Sequence, residues 1–221
     1  MARCKRELEA KQLVTHVVHA PSIAVALMAH LRHTSPMDTT AEAPARDFAR
    51  HTDAVLAAPS DAAIVELIVR RPERDRREVL AAARLDPVEG LVGDGWLARG
   101  SSSTADHTAD PLSQLTIMNT RVLAAMEPDR SRWPLAGDQL YADLDLSVAN
   151  LPPGSRLRVG EALVEVTERP HTGCAKFASR FGLDALRWIS TPAGRAARMR
   201  GMYVRVLEAG AVRVGDAIRK A

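Results

Sequence analysis

Cysteine is almost missing from this chain. Two cysteines, Cys4 and Cys174, in 221 residues cannot make a disulfide framework. Neither belongs to a Cys-x-x-Cys pair, and His171-x-x-Cys174 alone is two ligands short of the four a zinc site normally requires. Aromatic residues are scarce as well, at 4%, so the core has to rest on Val, Leu, Ile and Ala. Long hydrophobic runs are lacking: the apolar segment Ala20–Ala29 (APSIAVALMA) falls far short of the ~20 residues that span a bilayer. Nucleotide fingerprints are lacking too. The run Gly100–Thr104 (GSSST) has no P-loop lysine, and no Gly-x-Gly-x-x-Gly or Gly-x-Ser-x-Gly motif occurs.

Excess charge of one sign is confined to one end. The net charge is +3, and residues 1–36 carry all of it through Arg3, Lys5, Arg6, Lys11 and Arg32 against Glu7 and Glu9. From Met37 onward the chain is neutral, which excludes a basic, nucleic-acid-seeking domain. Neither nucleic acid nor a membrane is expected as a partner, and a reduced, cytoplasmic setting is the expectation. Residues 1–36 fit a signal peptide poorly, because Glu7 and Glu9 interrupt the basic start and no Ala-x-Ala site follows the apolar run. Four of the seven histidines lie there, without acidic or cysteine partners at ligand spacing. The segment reads as an unstructured or non-native extension, with Met37 as an alternative start and residues 37–221 as a single domain. A chain lacking residues 1–36 is expected to melt at an unchanged temperature.

The remaining pattern is mainly β. Ala63–Arg70 (AIVELIVR) is β-branched and bounded by Pro59 and Pro72, the signature of a strand. Ser155–Thr167 alternates Leu157 and Val159 with Val164 and Val166 around a Gly160-Glu161 turn, and Met202–Leu207 and Ala211–Ile218 repeat the style. Leu157, Val159, Val164, Val166, Val204 and Val206 are expected in one core. Helix is expected at Arg76–Leu85, which is charged and Ala-rich, around Arg121–Met126, and over Ala175–Ile189. Leu91–Pro111 reads as a long functional or mobile loop, and residues 38–50 as a polar lead-in. Many short strands with Gly turns point to a β-barrel with peripheral helices.

Cys174 is the residue with the clearest chemistry. Gly173 lets the backbone turn tightly before it. His171, Lys176 and Arg180 can make the local field positive, which favours the thiolate, the form that binds metal or attacks sulfur. Arg195, Arg198 and Arg200 read as a solvated helix face. Asp94 and Asp138 each follow a glycine and read as turn residues.

One ordered set of segments goes further: Gly137-Asp138-Gln139-Leu140, then Leu157–Gly160 and Val164–Thr167, then Pro170-His171-Thr172-Gly173-Cys174-Ala175-Lys176-Phe177 with Arg180-Phe181-Gly182, and finally Arg200-Gly201-Met202-Tyr203 with Val214-Gly215-Asp216. This order, from about Leu91 to Lys220, resembles the MOSC family, named after the C-terminal domain of molybdenum cofactor sulfurases. Two features depart from its usual pattern. Gly93-Asp94 is followed by Gly95-Trp96 rather than by an acidic, His-containing segment, and Asp138-Gln139-Leu140 stands where members often have Glu-Asn-Leu. The resemblance implies a MOSC-type β-barrel and a molybdenum cofactor (molybdopterin). It implies Cys174 as metal ligand and catalytic residue; by their own chemistry Lys176, Arg180 and Arg200 can clamp the pterin phosphate, His171 can contact the anionic cofactor, and Asp138 can hold cofactor amides or steer protons. The implied activity is a molybdenum-dependent oxidoreductase that reduces small N-hydroxylated compounds with a separate redox partner. The alternatives are a sulfur carrier whose Cys174 persulfide comes from a cysteine desulfurase, and a non-catalytic binding module.

Overall fold

The computed structural model describes residues 46–221. The extension at residues 1–36 and the boundary at Met37 lie outside the described residues.

Residues 46–51 anchor the chain entry. Arg46 donates to the carbonyls of Met126 and Phe181, and Phe48 stacks on Trp188 with ring centroids 5.5 Å apart. The short helix α1 (Thr52–Leu56) leads into β1 (Ala63–Arg70), β2 (Glu78–Leu80), β3 (Ala82–Asp86) and β4 (Gly90–Leu91). One turn of helix, α2 (Trp96–Arg99), interrupts the long loop before β5 (Leu115–Asn119). Helix α3 (Thr120–Met126) and a 3-10 segment, Arg130–Ala136, connect β5 to β6 (Leu140–Ala142). The hairpin β7 (Arg156–Val159) and β8 (Ala162–Val166) follows, then α4 (Ala175–Phe181), α5 (Leu183–Ile189) and α6 (Pro192–Ala196). The last strands are β9 (Met202–Glu208), β10 (Gly210–Arg213) and β11 (Ala217–Lys220).

Seven strands close a barrel in the order β11-β7-β8-β9-β5-β6-β1, with β1 pairing back to β11 and β2 attached outside β1. Closure leaves no unpaired edge in the ring. β5 and β6 run parallel, so their connection has to cross over the barrel's outer face, and α3 with the 3-10 segment does so. A smaller sheet, β10-β3-β4, packs alongside. Leu157, Val159, Val164, Val166, Val204 and Val206 all lie in the barrel interior, as their alternation requires. A second core lies under α3–α5 and holds Phe177, Phe181, Trp188, Trp133 and Tyr141.

Two expectations are corrected. Arg76–Leu85 is not helical: Glu78–Leu80 pairs with β1 and Ala82–Asp86 with β10. The Ala, Arg and Glu content favours helix locally, but ladder pairing and the burial of Leu85 override it. Ala175–Ile189 is two helices, broken at Gly182, whose φ of +95° ends the first. Ala211–Ile218, by contrast, repeats the style of the 155–167 hairpin as expected: two strands divided by a turn at Gly215.

Candidate active site

After β8 the chain runs from Thr167 to Cys174 across one end of the barrel and enters α4. Thr167 Oγ1 donates to the Leu112 carbonyl at 2.7 Å, and Arg169 pairs with Asp110, which tie this loop to the segment before β5. The stretch Glu168–Gly173 forms one wall of a cavity of about 530 Å³; residues from α6 and the start of β9 form the other. That size suits a small-molecule site.

The wall is built around a buried ion pair. Arg200, just before β9, sets Nη1 at 3.0 and 2.8 Å from the two carboxylate oxygens of Asp138, and its Nη2 donates to the Ala136 carbonyl at 3.0 Å. The Phe177 ring lies under the guanidinium at 5.0 Å. Asp138 is fully buried, and burial pushes its carboxyl upward against the pull of Arg200. His171 packs on Tyr203 with ring centroids 4.4 Å apart. Its Nδ1 stands 3.6 Å from Asp138, too far for a hydrogen bond. Burial, then Arg200 and Arg71, hold its imidazole well below the usual histidine range, so the ring is neutral at neutral pH. His171 Nδ1 and Arg200 Nε are both buried without a hydrogen-bond partner. Gly201 fits here because its φ is +97° and a Cβ would come 2.7 Å from the Ile117 carbonyl.

Cys174 is exposed at the start of α4, and its carbonyl accepts from Ala178 N at 3.0 Å. Gly173 before it packs on α5, where a Cβ would come 2.3 Å from Leu186 Cδ1. Glycine therefore lets the cysteine loop lie flat on the helical layer.

The residues expected from the sequence fall into two groups. Asp138, His171 and Arg200 come together at the cavity wall. Lys176 and Arg180 instead meet at Asp75, 3.5 and 3.2 Å from its Oδ1. Their charge is partnered there and does not converge with that of Arg200. The reading of Arg195, Arg198 and Arg200 as a solvated helix face is corrected. Arg200 is buried, and Arg198, at φ +46°, donates to the Leu151 carbonyl at 2.6 Å. All three line the cavity, with Arg195 on α6 the exposed member. Arg169, Asp110 and Asp75 carried no sequence signal, because only distant chain segments make them neighbours. Asp94 is more than a turn residue: its carboxylate binds the Arg71 side chain and accepts from Trp96 N at the start of α2. Gln139 accepts from Thr116 N and Oγ1 and leaves its own Nε2 buried without a partner.

No cluster of three or more His, Cys, Asp or Glu side chains able to hold a metal occurs among the described residues. No helix among them is long and apolar enough to cross a membrane.

The MOSC domain family model matches residues 106–219, which include the barrel strands β5–β9, the cavity wall and Cys174. Among solved structures, the chain is similar to the YuaD protein of Bacillus subtilis (TM-score 0.51, 17% identity, 71% of this chain and 94% of that one). It is also similar to a hypothetical protein (TM-score 0.50, 19% identity, 72% and 67%). YiiM of Escherichia coli matches with a TM-score of 0.47 at 20% identity, over 72% of this chain and 69% of that one. At these identities the likeness is one of fold. No curated protein matches the chain.

Proposed function

The chain belongs to the MOSC domain family, and from that premise we propose that it binds a molybdenum cofactor through Cys174 and reduces a small N-hydroxylated compound. The observation that carries this reading is that the loop lining the cavity ends at the exposed thiol: Gly173 lines the cavity, and Cys174, itself outside the lining, is the next residue. The residues present fit the group. A thiolate is a soft ligand suited to a metal that already carries sulfur, and the absence of a ready-made ligand cluster among the described residues suits a metal that arrives in its own cofactor. An anionic pterin needs cations, and Arg195 and Arg198 line the wall. The buried, unpartnered His171 Nδ1 and Arg200 Nε offer polar atoms for a ligand or a bridging water to satisfy.

When bound, the cofactor supplies two-electron redox chemistry at its metal. The chain's own residues do the rest. Cys174 anchors the metal. Arg195 and Arg198 hold the pterin portion of the cofactor. The Asp138–Arg200 pair fixes the wall on which His171 sits, and that neutral imidazole can hydrogen-bond a substrate N–O group. Electrons come from a separate redox partner. A reducing, cytoplasmic setting keeps the thiol free.

The exposure of Cys174 favours a second reading, sulfur carriage, in which a cysteine desulfurase loads the thiol with a persulfide. One experiment separates the two. Wild type and Cys174→Ser are purified from a molybdenum-competent host, and metal content and the mass of the Cys174 peptide are measured. Metal in the wild type that is lost in the variant supports ligation. A gain of one sulfur atom on the peptide without metal supports carriage. Wild type with neither, from a host that supplies both, overturns both.

A further inference from the structure

Lys176 and Arg180 lie one helical turn apart on α4, and both reach across to Asp75 in the loop between β1 and β2. Lys176 Nζ and Arg180 Nη2 stand 3.5 and 3.2 Å from the same oxygen, Oδ1, and Arg74 Nε stands 3.7 Å from Oδ2. Arg180 is held in place from behind, its Nη1 donating to the Leu135 carbonyl at 2.8 Å. Arg77 joins the cluster two residues after Asp75. It is half-buried, and burial followed by repulsion from Arg180 and Arg71 makes its charge costly. Its Nη1 donates to the Arg76 carbonyl, but its Nε is buried without a partner. Arg71 has its own counter-ion in Asp94, whereas Arg77 has none among the described residues. Three cations thus meet at one carboxylate, with Arg77 close enough to feel its charge.

That carboxylate is held in an unusual way. Asp75 is exposed, yet its backbone sits at φ +62°, in the left-handed region few non-glycine residues occupy. A single negative charge leaves the cluster with a large positive excess, and a carboxylate has only two oxygens for several converging donors. A phosphate monoester has up to two charges and three free acceptor oxygens.

We propose that Asp75 is a built-in placeholder: its carboxylate occupies an anion site formed by Arg77, Lys176 and Arg180, and an arriving phosphate monoester displaces it. The inference rests on the preceding reading only in taking the pterin phosphate as one source of that group; a free phosphate ester is the other. Lys176 is two residues along the chain from Cys174, which ties the site to the cysteine loop.

The test uses the full chain, free of cofactor, titrated calorimetrically with inorganic pyrophosphate. Removing a competing charge at the surface is worth about tenfold, so Asp75→Asn is expected to bind about tenfold more tightly than wild type at an unchanged melting temperature. Arg77→Met and Lys176→Met are expected to bind about tenfold more weakly. Arg77→Lys, which keeps the charge, guards against misfolding and is expected to restore most of the affinity. Unchanged or weaker binding by Asp75→Asn overturns the placeholder role. Wild-type affinity in Arg77→Met and Lys176→Met overturns the site. The same variants purified from a molybdenum-competent host identify the source. More pterin with Asp75→Asn than with wild type assigns the site to the cofactor's phosphate. Equal pterin with tighter pyrophosphate binding assigns it to a free phosphate ester. Loss of metal ligation at Cys174 leaves the pyrophosphate affinities unmoved, so the two readings fail separately.

Discussion

The two cores of this molecule are made of different residues. The barrel interior is aliphatic: Val65, Ile68, Leu115, Ile117, Leu140 and Val204 are among its members, and none of its buried residues is aromatic. The layer under α3–α5 holds six of the chain's eight aromatic residues, namely Phe48, Trp133, Tyr141, Phe177, Phe181 and Trp188. A closed ring of seven strands has a narrow interior that branched aliphatic side chains fill. The wider gap between the barrel's outer face and a helical layer takes larger rings. The difference shows where the site is able to form. The barrel interior is aliphatic and closed on itself. The seam between the two cores accommodates charge, because Arg200 can lie on Phe177 while it binds Asp138.

The comparison breaks most visibly at Phe177. Phe177→Ala is expected to cost about 3–5 kcal/mol, because it opens a cavity under the helices and removes the ring beneath Arg200. Ile117→Val in the barrel is expected to cost only about 0.5–1.5 kcal/mol. Denaturant midpoints check both. Equal costs would mean that the seam tolerates repacking as well as the barrel does.

Asp138→Ala sharpens the point with charge instead of volume. It leaves Arg200 buried beside the cavity without its counter-ion, and breaking such a pair costs about 3–5 kcal/mol. Asp75→Asn, on the exposed side of the same helical layer, is expected to leave the melting temperature unchanged. A mild effect of Asp138→Ala would show that water reaches Arg200 and that the pair does not hold the wall.

The smallest effect is one of pH. The folded-state pKa of His171 lies well below its ordinary value, so the unfolded chain binds the extra proton as pH falls through about 6.5. Stability from this group is complete above that pH and is lost below it, by up to about 1.4 kcal/mol per pH unit. Asp138 acts in the opposite sense. Its raised carboxyl lets the folded chain take up a proton first, which favours folding as pH falls toward the unfolded value. The difference between wild type and His171→Gln separates the histidine from it. Urea midpoints at two pH values either side of 6.5 are expected to diverge in wild type more than in the variant. Parallel behaviour would mean that His171 takes a proton inside the folded protein.

Much of the barrel was legible, because strand alternation is a local property. Ala63–Arg70, the 155–167 hairpin and Met202–Leu207 announce their inward faces through period-two patterning. Arg76–Leu85 was misread for the complementary reason: its composition favours helix, and only partners far along the chain make it two strands. In the site, the loop ending at Cys174 was legible as a glycine-cysteine turn after a strand. The roles of its charges were not. His171, Lys176, Arg180 and Arg200 look equivalent as basic residues, yet one is buried and neutral, one is locked in a buried pair, and two pair with the exposed Asp75.

By itself, then, the sequence determined the β pattern, the membership of the barrel core and the position of the one cysteine among the described residues, since each depends on residue type and short-range spacing. Tertiary structure alone decided where the helical layer meets the barrel, which carboxylate each cation finds, and that Arg195, Arg198 and Arg200 face a cavity. Burial and counter-ions are set by segments as far apart as Asp138 and Arg200, or Asp75 and Arg180. A charge changes its meaning with its surroundings far more than an apolar side chain does, because desolvation penalises an unpaired charge and rewards a buried methyl group.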